Sequence, residues 1–309
     1  MLSSLATSAG AGSRAYITNQ GSNNVSVIDL DKNQVMATIA VGKAPVGVAV
    51  SAKLHRVYIS NVDGLSISII DSTTNQVIEN LPVKGSPVAL ALSPDSSMLY
   101  VADWFADRVL VINTADTKQQ REVAVGKAPA GLVVSPDGKR LYVANRDNND
   151  VAVIDTASLK ITLRIAVDEH PYGLALSPDG TRLYAVNVHA NTVSAIDTAS
   201  LRSTSIKVGE HPYCAVVSAD GSRVYVSNTQ GDSISVIDAT QNKVIATVAV
   251  GGFPEGISID PATQNIYVAN WFDNSVSVIA ASSNKLVASI PTGSQSRAFG
   301  QFILESAAH

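Results

Sequence analysis

The chain has 309 residues and a formal net charge of −4, so no overall positive field draws it to nucleic acid or to an anionic membrane. Hydrophobic residues make up 46% and aromatics only 5%, with Val, Ile and Ala prominent, which suits thin stacked sheets better than one bulky core. The single cysteine, Cys214, excludes an intrachain disulfide and a cysteine metal cluster.

Residues 1–12 are small and polar, without a basic n-region or an apolar h-region. The chain is therefore either cytoplasmic, or periplasmic or secreted after removal of a signal peptide. No run approaches the roughly 18 apolar residues of a membrane span. Neither a basic stripe nor a stacking platform for single strands is present. A monomer is expected.

From residue 13 to residue 305 one unit recurs. Its markers are Tyr16-Ile-Thr-Asn19, Tyr58-Ile-Ser-Asn61, Tyr100-Val-Ala-Asp103, Tyr142-Val-Ala-Asn145, Tyr184-Ala-Val-Asn187, Tyr225-Val-Ser-Asn228 and Tyr267-Val-Ala-Asn270. The tyrosines lie 42, 42, 42, 42, 41 and 42 residues apart, which leaves no room for an inserted domain. Each unit reads as four strands. An apolar strand a, such as Gly131–Ser135, is followed by a Pro-Asp-Gly turn at 136–138, a strong hairpin signal. Strand b is Leu141–Ala144, strand c Val151–Asp155 and strand d Ile161–Val167, and Val-Gly-x-x-Pro then leads into the next strand a. Four-stranded units at this period are propeller blades. The chain opens on a strand b, Arg14–Thr18, and closes on an unpaired strand a, Ala298–Leu304. The fold expected is all-β, a seven-bladed propeller whose last strand completes the first blade and hides two edges. Residues 306–309 are a tail.

Tyr-Val-x-Asn followed by Val-Ser-Val-Ile-Asp resembles the YVTN family of β-propellers, found in bacterial secreted proteins and archaeal surface-layer proteins. The resemblance covers Arg14 to about Leu304 and is specific for fold; one fold hosts many functions. A looser architectural likeness links the chain to the seven-bladed streptogramin lyases, which use a metal-assisted His/Glu site. Nothing beyond the propeller itself matches the haem-binding cytochrome d1 domain.

Function should lie where repetition fails. The d–a and b–c loops fall on one face, here the top. The bottom loops repeat Pro-Asp-Gly and Asp-Thr-Ala turn chemistry. The residue after the repeated proline should face the channel mouth; in order it is Val46, Val88, Ala130, Tyr172, Tyr213, Glu255 and Arg297. The residue before the proline divides in the same way: Ala44, Ser86 and Ala128, then His170, His211 and Phe253, then Gln295. Blades five, six, seven and one thus form a distinct sector. His170, His189 and His211 fall on top loops, as do Trp104-Phe105 and Trp271-Phe272. Concave sites lined by aromatics with a few polar groups are usual ligand sites.

Several roles follow. His170, His189, His211 and Glu255 are candidate ligands of a divalent metal, the one candidate cofactor; alternatively the histidines hydrogen-bond neighbouring loops. Glu255 and Arg297 are an acid/base and anion clamp, or an ion pair that closes the mouth. Tyr172 and Tyr213 donate to a substrate or fill the channel. Trp104, Phe105, Phe253, Trp271 and Phe272 bind a ligand or protein, or pack between blades. Cys214, at a position that is Gly in four other repeats, is a small buried thiol. The repeated Asn/Asp of strand b and Asp after strand c are turn caps. The leading expectation is one small-molecule site in a top funnel, with Glu255, Tyr172, Tyr213, His170 and His211 as catalytic candidates for metal-assisted or acid/base lyase or hydrolase chemistry. The alternative is a non-enzymatic periplasmic or cell-surface scaffold that binds a protein or polymer through the top face.

Overall fold

A computed structural model describes residues 12–305. Residues 1–11 and 306–309, which hold nearly all of the expected N-terminal segment and the tail, lie outside the described residues. Seven sheets surround one axis, six of them antiparallel throughout, so the chain is the expected seven-bladed propeller. In blade four the strands are Pro129–Val134, Arg140–Asn145, Asp150–Asp155 and Lys160–Ala166, within one or two residues of the sequence reading. Among the described residues the one helical element is a 3-10 turn, Arg146–Asn148.

Blades stack face to face, so their two middle strands are covered on both sides and read as continuous apolar runs. In Arg56–Asn61 every residue after the first is buried, whereas the outer strand Gln76–Pro82 alternates toward solvent. The repeated strand-b tyrosines carry their rings into these layers; Tyr16 and Tyr267 are fully buried. Their hydroxyls reach the turn of the next blade, Tyr16 Oη donating to Asn75 Oδ1 at 3.2 Å and Tyr267 Oη to Asn33 Oδ1 at 3.3 Å. The second of these joins blade seven to blade one.

The repeated polar residues behave as turn chemistry. Asn61 Nδ2 donates to the Ser66 and Ser68 hydroxyls across the b–c hairpin at 3.2 and 2.9 Å. Asp71 accepts the Thr73 and Thr74 N–H groups in the c–d turn at 2.8 and 2.9 Å. In the a–b turn Ser177 Oγ, the Thr181 N–H and the Thr181 hydroxyl hold the Asp179 carboxyl down to about 2.

Closure differs in detail from one continuous strand. Ile303–Leu304 pairs with Arg14–Asn19, antiparallel, as the inner strand of blade one, and Ser296 adds an isolated antiparallel bridge to Asn19. Phe299–Gly300 instead pairs in parallel with Pro45–Ser51 of blade two and makes that sheet five-stranded. Positive φ values at Ala298 (51°) and Gly300 (118°) turn the chain between the two pairings. Phe302 is completely buried in this joint. Phe302→Ala is expected to cost about 3–5 kcal/mol. Removal of residues 298–309 should lower Tm further or cause aggregation; thermal unfolding that matches the full chain would refute closure by this segment.

Candidate functional site

The geometry of the mouth begins with the inner strands. A Cβ at Gly47, Gly131, Gly173 or Gly256 would collide with the carbonyl of the residue after the proline in the next blade. This contact pins each such residue, so its side chain is set by the backbone to point at the axis. In blade six the equivalent residue is Cys214, and Ser227 performs the linkage: its hydroxyl donates to the Glu255 carbonyl at 2.7 Å and accepts the Cys214 N–H at 3.1 Å.

The structure brings together Tyr172, Tyr213, Glu255 and Arg297. Arg297 Nε lies 2.5 Å from Glu255 Oε2. Arg297 Nη2 donates to Tyr213 Oη at 2.8 Å, and Tyr213 Oη donates to Tyr172 Oη at 2.9 Å. Arg297 Nη1 donates to Gln20 Oε1 at 3.1 Å, and that oxygen also accepts the Trp271 indole N–H at 3.4 Å. The tyrosine rings stack against each other and against Phe299, with centroids 4.4–5.7 Å apart. Trp104 covers Tyr172 from above at 5.6 Å, and Arg146 lies over the Trp104 ring at 5.5 Å.

These side chains fill the top of the channel. Glu255 is 2% exposed, and Tyr172 and Tyr213 are buried, whereas the Arg297 side chain retains 21%. The expected open funnel is therefore a plugged mouth, because four large residues occupy an aperture that Val46, Val88 and Ala130 leave free on the other side. Below the plug, an axial cavity of about 510 Å³ runs from Cys214 and Phe299 to Ser93 and Ser96 at the bottom turns. Burial raises the Glu255 carboxyl to about 7, although the Arg297 charge pulls the other way. Burial also raises the Tyr172, Tyr213 and Cys214 pKa values, which keeps those groups protonated at neutral pH.

The three histidines form a row on the top loops. His170 and His189 ring centroids are 3.9 Å apart, and His189 and His211 are 5.6 Å apart. The His170 pKa is lowered by partial burial, then by the charges of Arg146 and His189. The rings lie against one another, and the Glu255 carboxylate is taken by Arg297. Among the described residues no group of three or more His, Cys, Asp or Glu is placed to hold a metal ion. Phe253, Trp271 and Phe272 cluster over blade seven with centroids 4.9–5.8 Å apart. Phe105 stands alone, 81% exposed. Sequence reasoning missed Gln20 and Ser227. Ser227 had a signal, since the same place in strand b is Thr18, Ser60, Ala102, Ala144, Val186 and Ala269 elsewhere.

A family model described as YNCE-like beta-propeller matches residues 49–135, and one described as Lactonase, 7-bladed beta-propeller matches residues 111–216. Both agree with a seven-bladed propeller of YVTN-type repeats. No curated protein matches the sequence. Solved structures resemble it in fold. A chain of Kuenenia stuttgartiensis hydrazine synthase is 21% identical with TM-score 0.79, over 91% of this chain and 99% of that one. A functionally unknown protein from Desulfotomaculum acetoxidans is 14% identical with TM-score 0.79, over 93% and 99%. Virginiamycin B lyase from Staphylococcus aureus is 19% identical with TM-score 0.70, over 80% and 84%.

The Glu255 environment predicts a pH dependence. The folded carboxyl holds its proton up to about 7, above its ordinary value of 4.5. Between those values the folded chain binds more protons than the unfolded chain, so the Glu255 contribution to stability is full below that window and is lost as pH rises through it. Glu255→Gln should flatten this slope in denaturant melts at pH 4.5 and 7.5; an unchanged slope would contradict the assignment.

Proposed function

We propose that the top end of the axis is a small-molecule site in which Glu255 serves as general base and then general acid in hydrolysis of an ester, a cyclic ester included. The observation that carries this reading is a carboxyl that is buried yet poised near neutrality, set against a guanidinium and two phenols that the other blades lack. The lactonase match supports the substrate class; it spans His170, Tyr172, His189, His211 and Tyr213 but not Glu255 or Arg297.

The chemistry balances within the chain. Ionised Glu255 takes a proton from water as the water oxygen adds to the ester carbonyl carbon. The Arg297 Nη N–H groups not used by Gln20 or Tyr213 stabilise the oxyanion, while its Nε faces Glu255. Collapse breaks the carbon–oxygen bond, and Glu255 returns its proton to the leaving oxygen, giving a hydroxy acid from a lactone.

Glu255→Gln keeps the shape and resembles the protonated form that the fold favours. It should hold or raise Tm at neutral pH and cut kcat on a hydrolysed lactone or ester roughly 10²–10⁴-fold. Wild-type inactivity across a lactone and ester panel would remove this reading. A loss of roughly 1–3 kcal/mol in the variant without effect on ligand binding would instead make Glu255 the partner that neutralises Arg297.

A further inference from the structure

We infer that the top loops of blades six, seven and one form a docking surface for a basic peptide segment, which lays Lys or Arg side chains on the Phe253–Trp271–Phe272 cluster. This inference does not rest on the hydrolytic reading.

The cluster is rigid and open. Phe272 is 64% exposed and sits edge-on to both neighbours, 5.0 Å from Phe253 and 4.9 Å from Trp271. The two loops that carry it are stitched together, with the Trp271 N–H on the Phe253 carbonyl at 3.0 Å and the Phe272 N–H on the Gly252 carbonyl at 3.1 Å. Phe253 has φ of 56°, in the left-handed region that disfavours a bulky side chain. The same position holds Ala44, Ala128, His170, His211 and Gln295, also at positive φ, so the fold does not ask for an aromatic there.

The charges around the cluster have one sign. Asp232 accepts the Phe253 N–H at 2.9 Å and Asp273 accepts the Gly252 N–H at 2.8 Å, and both carboxylates are exposed. That bond needs only a side-chain oxygen. Asn23, Asn149, Asn191 and Asn274 make the bond of Asp232 in other blades, and Asn148 makes the bond of Asp273. The negative charges therefore exceed what the loops require. Exposed Glu210 adds a third, and residues 208–211, 229–232, 250–253, 271–274, 292–296 and 20–23 contain no Lys or Arg. Aromatic faces ringed by carboxylates attract cations through the ring quadrupole and through Coulomb attraction together. Arg297, the nearby cation, is held by Glu255, Tyr213 and Gln20.

The test is calorimetric titration with an octa-arginine peptide at low and high salt. Saturable binding that weakens with salt is expected. Phe272→Leu, which keeps apolar area but removes the ring, should weaken binding roughly tenfold, as should Asp232→Asn combined with Glu210→Gln. Phe105→Ala, at the matching exposed position of blade three, should change nothing. No saturable binding at low salt, wild-type affinity in Phe272→Leu, or an equal loss in Phe105→Ala would overturn the proposal. So would sedimentation showing a dimer broken by both Phe272→Leu and Lys84→Glu, since Lys43, Lys84 and Lys127 on the exposed loops of blades two to four would then be the occupant, on a second copy.

Discussion

The close approach of the seven inner strands around the axis is the constraint on which the rest depends. At Gly47, Gly131, Gly173 and Gly256 the backbone of one blade meets the carbonyl of the next with no space for a Cβ. Such contact fixes the height and direction of Val88, Tyr172, Tyr213 and Arg297. A ring held this tightly can present different side chains at equivalent positions without changing its shape, because the backbone carries the geometry and the side chains only occupy it. Strand-b hydroxyls add a second link between blades: Ser60 joins Gly47 to Val88, Thr18 joins Ala298 to Val46, and Ser227 joins Cys214 to Glu255.

The mouth shows what that freedom allows. Glu255, Arg297, Tyr213 and Tyr172 share one chain of charge-assisted and neutral hydrogen bonds in a space where water is scarce. The same burial that raises the carboxyl pKa strengthens the Arg297 pairing that opposes it. Gln20 ties this group to Trp271, so the plug and the aromatic cluster on the rim share a hydrogen-bonded support.

Most of the fold was legible because the tyrosines repeat almost without drift, and because Pro-Asp-Gly turns at 136–138 and 178–180 mark two of the a–b hairpins. The sector of Tyr172, Tyr213, Glu255 and Arg297 was legible for the converse reason, since it breaks a pattern the chain otherwise keeps. Other features were hidden. Two-residue pairings such as Phe299–Gly300 with Pro45–Ser51 leave no periodicity to read. Whether four large side chains line an aperture or fill it depends on the channel's width, which no local pattern encodes. The histidines share a loop face by repeat position, but ring-on-ring packing rather than convergence follows from rotamers and from the separation of the blades.

Closure joins the first and last strands of the propeller. Ile303–Leu304 completes the blade begun by Arg14–Asn19, and Tyr267 reaches Asn33 across most of the sequence. Blades two to seven can each form from a contiguous stretch as it leaves the ribosome. Blade one cannot, and its first three strands must wait, one edge open, until Ile303 and Leu304 are made. Ring closure is therefore the contact of greatest sequence separation and the slowest to become available. While the nascent chain waits, that open edge is where a neighbouring molecule could insert a strand in place of Ile303–Leu304.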